Sequence, residues 1–144
     1  MMSNPKYFAP IELIRSKTAL AYKIESIPPT WEILDNLREL GLMLDIIRER
    51  YGAAISVTSG YRSQALNTKI KGSKTSQHTL GQAADLTCKD NARLFNTIKT
   101  LMDEGTIEVG QLIWEYGNRK QPDWVHVSLP TSNHHNEILY IGMK

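Results

Sequence analysis

Residues 76–85 constrain this chain more than any other stretch, because they set a histidine and an aspartate seven positions apart with a glycine between them. Imidazole and carboxylate are both zinc ligands, and each would have to lie roughly 2 Å from one metal ion. Seven residues span about 10 Å along a helix and over about 20 Å when extended, so the chain must double back. Gly81 adopts a positive φ at little cost and can make that turn. We interpret His78 and Asp85 as two ligands of a zinc site.

The third ligand has to come from one of three other histidines. His126 lies in residues 124–128, where two valines alternate with Trp124, His126 and Ser128, as in a strand with one polar face. His134 and His135 lie in residues 131–136, which have the composition of a solvated turn. The sequence therefore predicts His78, Asp85 and His126 as the ligand set. Three protein ligands with a fourth position left for water are typical of a catalytic zinc site.

Three segments together resemble a known family. They are the spacing Ser76-x-His78-x-x-Gly81-x-Ala83-x-Asp85, the preceding Ser-Gly-Tyr-Arg-Ser of residues 59–63, and the following Trp-Val-His-Val-Ser of residues 124–128. In this order they resemble the M15 family of zinc D-Ala-D-Ala peptidases, which includes cell-wall carboxypeptidases and phage endolysins. The resemblance runs from about residue 12 to residue 128. It implies a Zn²⁺ cofactor and hydrolysis of peptidoglycan stem peptides, by a carboxypeptidase or by an endolysin-type endopeptidase.

The resemblance also implies roles for residues outside the ligand set. Arg62 matches an arginine that faces the metal cleft in relatives and binds substrate or stabilises the developing oxyanion. Asp123 matches an acidic residue three positions before the last histidine, which acts as the base. Within a regular strand Asp123 and His126 have opposite parity, so Asp123 can face the metal only if Pro122 and Asp123 still belong to a turn. We expect that turn, because of the proline, and keep Glu115 on the neighbouring strand as the reserve candidate.

Ser76 stands two residues before a predicted ligand, and two roles are open to it. Its hydroxyl can bind substrate, or it can hold the turn in place. For the tryptophans of the adjacent strands, Trp114 and Trp124, we expect mutual packing within the hairpin rather than a sugar-binding platform.

The order of elements predicts an α+β fold. A helix capped by Thr30 precedes a strand in residues 53–58, a short helix, the strand of residues 83–88, a helix capped by Asp90, and a final group of strands. This order favours one domain over residues 1–144, with a flexible start at residues 1–10 and a mostly antiparallel sheet flanked by helices. The zinc site would lie on the face of this sheet. The resemblance implies the fold type of the D-Ala-D-Ala carboxypeptidases and of hedgehog.

The amino-acid composition limits the kinds of partner and the location that we expect for this protein. The formal net charge is +2 and the basic residues are scattered, so we expect no nucleic-acid partner. A single cysteine, Cys88, excludes an intrachain disulfide, and its strand parity predicts a buried apolar role. The start of the chain has no apolar run, and no window reaches the length of a membrane span. We therefore expect a monomer that is made in the cytoplasm and acts on the cell wall. A phage or prophage origin would agree with this expectation. The alternative function is a zinc-stabilised wall-binding module without turnover.

Overall fold

The fold is known from a computed structural model that describes residues 4–144. The helices are α1 (Pro10–Ile14), α2 (Lys17–Ala21), α3 (Trp31–Tyr51), α4 (Gln64–Lys69) and α5 (Asn91–Asp103), with a 3₁₀ helix at Gln77–Leu80. The strands are β1 (Ser56–Ser59), β2 (Ala83–Thr87), β3 (Gln111–Glu115), β4 (Trp124–Ser128) and β5 (Glu137–Ile141). Among the helices within residues 4–144, none combines the length and apolarity needed to cross a membrane.

The five strands form one sheet in the order β1-β2-β4-β3-β5. Three of its four strand pairs are antiparallel, and only β3 and β5 run parallel. The predicted α+β fold with a mostly antiparallel sheet is confirmed. Asp85 lies on β2 and His126 on the central strand β4, so both predicted ligands lie on internal strands of the sheet.

The two faces of the sheet have different roles because successive side chains alternate between them. One face carries buried apolar side chains and packs against α3 and α5 to form the core; on the sheet these side chains are Ala84, Leu86, Leu112, Trp114, Val125 and Val127. The opposite face carries Asp85, Ile113, Glu115, Trp124 and His126, and these line a cleft. The core therefore lies directly behind the predicted metal site. Cys88 packs half-buried at the margin of this core.

Helix boundaries follow the capping residues that the sequence predicts. Thr30 Oγ1 accepts a hydrogen bond from Ile33 N at 3.3 Å, and Gly52 ends α3 in the left-handed conformation at φ 79°. Asp90 Oδ1 accepts from Arg93 N at 3.0 Å and starts α5. The strand predicted over residues 53–58 is observed at Ser56–Ser59, so it begins three residues later and ends one residue later than predicted.

The start of the described chain packs against α3, in contrast to the expected flexible segment over residues 1–10. Residues 1–3 of that segment lie outside the described residues. Asp45 Oδ1 accepts hydrogen bonds from Tyr7 N at 2.9 Å and from Phe8 N at 3.3 Å, and the Phe8 side chain is buried. A buried aromatic ring and two backbone hydrogen bonds hold this segment, and no periodic pattern in its sequence predicts either.

The expected packing between Trp114 and Trp124 is wrong. Glu115 is the residue that pairs with Trp124, so Trp114 stands one position away and its side chain points to the other face. Trp114 lies in the core against Phe95, with ring centroids 5.3 Å apart. Trp124 lines the cleft and packs against Tyr116 at 5.1 Å.

A substitution at Gly41, in α3, tests the packing of the N-terminal segment around Pro5 and Phe8 against this helix. Alanine favours a helix over glycine by about 1 kcal/mol, but a Cβ at residue 41 would overlap the Phe8 carbonyl oxygen and approach Pro5 Cγ to 2.7 Å. Overpacking costs about 1–3 kcal/mol, so we expect Gly41→Ala to lower the free energy of unfolding by about 1–2 kcal/mol in urea titrations. Glu39→Ala, an exposed control on the same helix, should change it by less than about 0.5 kcal/mol. A stabilised Gly41→Ala protein would contradict this attachment.

Candidate metal centre

A glycine turn brings His78 next to Asp85. The 3₁₀ helix that carries His78 ends at Gly81, whose φ of 71° turns the chain into β2. A Cβ at residue 81 would also lie 2.8 Å from the Ile33 carbonyl oxygen, so the turn sits close against α3. Both the positive φ and this approach require glycine. The predicted role of Gly81 is therefore observed.

The third predicted ligand is paired with Asp85 across two strands. Asp85 and His126 are register partners in the antiparallel pair of β2 and β4. His126 Nδ1 lies 2.9 Å from Asp85 Oδ1, and His78 Nε2 lies 3.4 Å from the same oxygen. One ligand atom from each of the three side chains falls within 4.8 Å of the others. The structure thus brings together His78, Asp85 and His126.

The orientation of His78 is set by a backbone carbonyl. His78 Nδ1 lies 2.8 Å from Gly60 O, which as a carbonyl can only accept, so Nδ1 carries the proton and Nε2 presents its lone pair to Asp85 and His126. Gly60 itself is pressed against α1, because a Cβ there would overlap the Leu13 carbonyl oxygen. The Ser59-Gly60 segment that the sequence singled out therefore fixes the tautomer of a predicted ligand.

Protonation states in this cluster suit metal binding. Burial lowers the pKa of His78, so its imidazole is neutral at pH 7, as a ligand must be. Burial alone would raise the pKa of Asp85, but the hydrogen bond with His126 Nδ1 and the neighbouring His78 ring outweigh it and hold that pKa well below its usual range. Asp85 is therefore an anion over the whole physiological pH range.

The donor set fits zinc. Two imidazoles and one carboxylate are common zinc ligands, and donor atoms at the corners of a zinc tetrahedron are about 3.3 Å apart. The observed separations of 2.9 and 3.4 Å between Asp85 Oδ1 and the two imidazole nitrogens lie on either side of that value. The hydrogen bond from His78 to Gly60 is the kind of outer partner that orients metal-bound histidines.

Arg62 and Ser76 lie at one wall of the cleft. Arg62 N donates to His78 O at 3.1 Å, which ties the residue to the 3₁₀ helix. Its side chain donates from Nη2 to Ser76 Oγ at a long 3.4 Å, and its Nε is buried without a partner. Burial lowers the pKa of Arg62, and the charges of Asp85 and Glu115 oppose that shift. Ser76 Oγ also accepts from His78 N at 3.2 Å, so it holds both the turn and the arginine.

The two acidic candidates for the base occupy different places. Glu115 lines the cleft; burial raises the pKa of its carboxyl, and the charge of Asp85 raises it further. The Asp123 side chain is exposed and is absent from the described cleft lining. Asp123 N donates to Glu115 O at 3.0 Å, and the residue lies in a bend before β4, which begins at Trp124. Asp123 thus precedes the strand, as expected, and its role as the base stays a prediction.

The cleft extends well beyond the three ligands, with a volume of about 860 Å³. Trp124 and Tyr116 line it, and neither was singled out for the site from the sequence. Trp124 could have been found, because it shares the strand parity of His126. His134 also reaches the margin, where its Nδ1 lies 2.6 Å from Glu137 Oε1. The turn of residues 131–136 is solvated as expected, with residues 132, 133, 135 and 136 exposed.

Comparison with known proteins gives one result that covers most of the chain. No curated protein matches it. A family model described as Peptidase M15 matches residues 6–128, a range that contains all three ligands together with Arg62, Glu115 and Asp123. Peptidases of this family depend on zinc, and the His-Asp-His cluster could bind a metal. The chain belongs to the M15 peptidase family.

Proposed function

We propose that this protein is a zinc-dependent peptidase that hydrolyses peptide bonds in the stem peptides of bacterial peptidoglycan. One observation carries the proposal: a carboxylate and a guanidinium, those of Glu115 and Arg62, line the same cleft as the His-Asp-His cluster. Family membership supports a peptide substrate. An endolysin-like setting, with a monomer of phage or prophage origin that is made in the cytoplasm and acts on the wall, belongs to the same proposal.

In this proposal His78, Asp85 and His126 hold the zinc. Zinc bound there supplies a Lewis acid and lowers the pKa of water. The protein contributes the orientation of the ligands, through the Gly60 carbonyl and the pairing of β2 with β4. It also shields the metal site from bulk water, since the side chains of both histidines are buried and that of Asp85 is largely buried.

Glu115 is the proposed base, in place of Asp123. Hydrolysis breaks one C–N bond, adds the hydroxyl of water to the acyl carbon and delivers a proton to the leaving nitrogen. A carboxylate in the cleft can take that proton from water and pass it on. Glu115 is close enough to Asp85, His126 and Arg62 for their charges to act on its pKa, whereas Asp123 is exposed and does not line the cleft. A raised pKa brings a carboxylate nearer to the pH at which a base works best.

Arg62 is proposed to bind the substrate carbonyl or the developing oxyanion. Its Nε has no partner and its one side-chain hydrogen bond is long, so its donors are not satisfied within the protein. A buried donor without a partner costs free energy, which a substrate oxygen can recover. A guanidinium also stabilises negative charge without exchanging a proton. Ser76 would then orient Arg62 as well as the turn.

The alternative is a zinc-stabilised wall-binding module without turnover. Such a module needs the three ligands but not a base or an oxyanion donor. The presence of both Glu115 and Arg62 at the cleft favours the peptidase. Mass spectrometry of muropeptides after incubation with the zinc-loaded protein separates the two functions, because only a peptidase yields shortened peptides. Binding to wall material with every muropeptide intact would favour the module.

The metal assignment predicts which histidines matter for zinc content. His78→Ala and His126→Ala should each lower bound zinc from about one per chain to well below that, because two protein ligands hold zinc poorly. Elemental analysis of the purified variants measures this. His135→Ala is the control, since His135 lies outside the cleft lining and its Nε2 is 3.8 Å from Glu108 Oε1. Full zinc occupancy in His78→Ala and His126→Ala would contradict the ligand set.

The base assignment predicts different effects for two matched amide variants. Glu115→Gln keeps the shape of the side chain but cannot accept a proton, so we expect kcat to fall by about 100-fold or more with zinc retained. Asp123→Asn should keep activity within about threefold. Zinc content and muropeptide hydrolysis are measured side by side for both proteins. An active Glu115→Gln enzyme together with a dead, zinc-loaded Asp123→Asn enzyme would return the role to Asp123.

Arg62→Ala should separate activity from folding. We expect kcat/KM to fall by about 100-fold or more, the scale for removing one oxyanion donor, while zinc content and Tm are retained. Folding loses little because the only side-chain hydrogen bond lost is the 3.4 Å contact with Ser76. Arg62→Lys should recover only part of the rate, since lysine keeps the positive charge but lacks the planar guanidinium with its paired N–H donors. Arg119→Ala, on an exposed loop, is the control. A fully active or unfolded Arg62→Ala protein would refute this role.

A further inference from the structure

The cleft crosses the sheet from β1 to β3, and the metal ligands lie in its middle. Thr58 and Ser59 of β1 line one side, Asp85 and His126 follow on β2 and β4, and Glu115 of β3 lines the other side. Three steps between neighbouring strands cover about 14 Å. An extended peptide advances about 3.4 Å per residue, so the cleft offers room for about four residues. Two terminal alanines would fill half of that length.

One arm of this cleft is aromatic. Tyr116 and Trp124 line it beside Glu115, with ring centroids 5.1 Å apart, and the Tyr116 side chain is 44% exposed. The Trp124 Nε1 is buried without a hydrogen-bond partner. Aromatic rings with polar tips give large contact area and a hydrogen-bond donor or acceptor at one place. This arm has the chemistry of a surface for a peptide chain.

The position of Tyr116 is held by its surroundings. Its φ is 59°, a left-handed conformation that is costly for a bulky residue. Tyr116 N donates to Ile141 O at 2.7 Å, and Gly142 leaves the space that the tyrosine ring fills, because a Cβ there would overlap that ring. Backbone strain maintained by neighbouring elements is concentrated at binding and catalytic sites. The strand end of β5 thus fixes an aromatic ring at the edge of the cleft.

The other arm is lined by hydroxyl groups. Ser16 and Thr18, at the start of α2, line the cleft together with Thr58 and Ser59 at the end of β1. Thr58 Oγ1 already donates to Asp85 O at 3.2 Å and can still accept, whereas Ser16 Oγ accepts from Ala19 N at 3.0 Å and can still donate. They suit the alternating N–H and C=O groups of a peptide backbone.

Charge in the cleft argues against a bound chain terminus. Of the described residues that line it, only Arg62 carries a permanent positive charge. The proposed function already uses this charge at the scissile carbonyl. His134 reaches the margin of the cleft, but its Nδ1 is occupied by Glu137 at 2.6 Å. A terminal carboxylate is held most strongly by a cation, and the lining residues within 4–144 offer no lysine or arginine besides Arg62.

We propose that this cleft binds peptide on both sides of the scissile bond, with Tyr116 and Trp124 as a specificity subsite, so that the enzyme cuts internal bonds of stem peptides. The proposal rests on the proposed peptidase function. It assigns Tyr116 and Trp124 to one side of the metal ligands and the Ser16, Thr18 and Thr58 hydroxyls to the other. The substrate class is a chain that continues beyond the cut in both directions, such as a cross-linked stem peptide.

The first test compares substrates with and without a free end. The zinc-loaded full chain is incubated with a cross-linked muropeptide dimer, a monomeric pentapeptide with a free carboxylate, and the same pentapeptide with a terminal amide. We expect cleavage of the dimer at an internal bond, and less than about threefold loss of rate on amidation. Release of only the terminal alanine, with over about 100-fold loss on amidation, would overturn the proposal and leave the peptidase function intact. No cleavage of any of the three would defeat both.

The second test removes the aromatic ring and keeps the backbone. Tyr116→Asn is suitable because asparagine tolerates the left-handed conformation, and Tyr116→Phe restores the ring without the hydroxyl. We expect Tyr116→Asn to raise KM for the dimer by about tenfold or more with little change in kcat, and Tyr116→Phe to recover most of this loss. Calorimetry should show the same loss in the affinity of metal-free protein for the dimer. Tyr140→Thr, which removes a 54% exposed ring outside the cleft lining, is the control. An unchanged KM and affinity in Tyr116→Asn would overturn the subsite.

Discussion

The pairing of Asp85 with His126 across β2 and β4 is the constraint on which the site depends. In an antiparallel sheet a slip of one residue would turn the side chains of a strand to the other face. Here such a slip would move Ala84 and Leu86, or Val125 and Val127, out of the core and into the cleft. Burial of these apolar side chains therefore fixes the register that holds two metal ligands together. The geometry of the site follows from the energetics of the core behind it.

His78 needs a separate explanation because it is the ligand outside the sheet. Gly81 turns the chain, Gly60 provides the carbonyl for Nδ1, and the contact of residue 60 with α1 holds that carbonyl in place. Tyr61 N also donates to Leu13 O at 2.7 Å, which joins the same loop to α1. A short N-terminal helix that carries no metal ligand thus supports the ligand that is least constrained by the sheet.

Much of the fold and the clustering of His78, Asp85 and His126 could be predicted from the sequence because local signals pointed the same way. Capping residues, the glycine turn and the alternation in residues 124–128 are each local, and their predictions were met. The identity of the acidic residue in the cleft was harder to predict. It depends on which side chain enters the cleft: Glu115 does so from its place in β3 beside Trp124, whereas Asp123 lies in the bend before β4 and is exposed. The burial of Phe8 also depends on a partner far along the chain, Asp45 and its helix. Contacts of this kind leave no periodic trace in the sequence.

The order of strands in the sheet determines which strands separate most readily by local unfolding. Strands at the edge of a sheet exchange their amide hydrogens more readily than central strands, because they open without disrupting the core. β1 and β5 are the edges, whereas Asp85 and His126 lie on the internal strands β2 and β4. Fraying of β5 would release the Ile141 carbonyl and with it Tyr116, while both sheet ligands stay paired. Tyr116 can thus loosen in solution while Trp124, on the same strand as His126, stays in place.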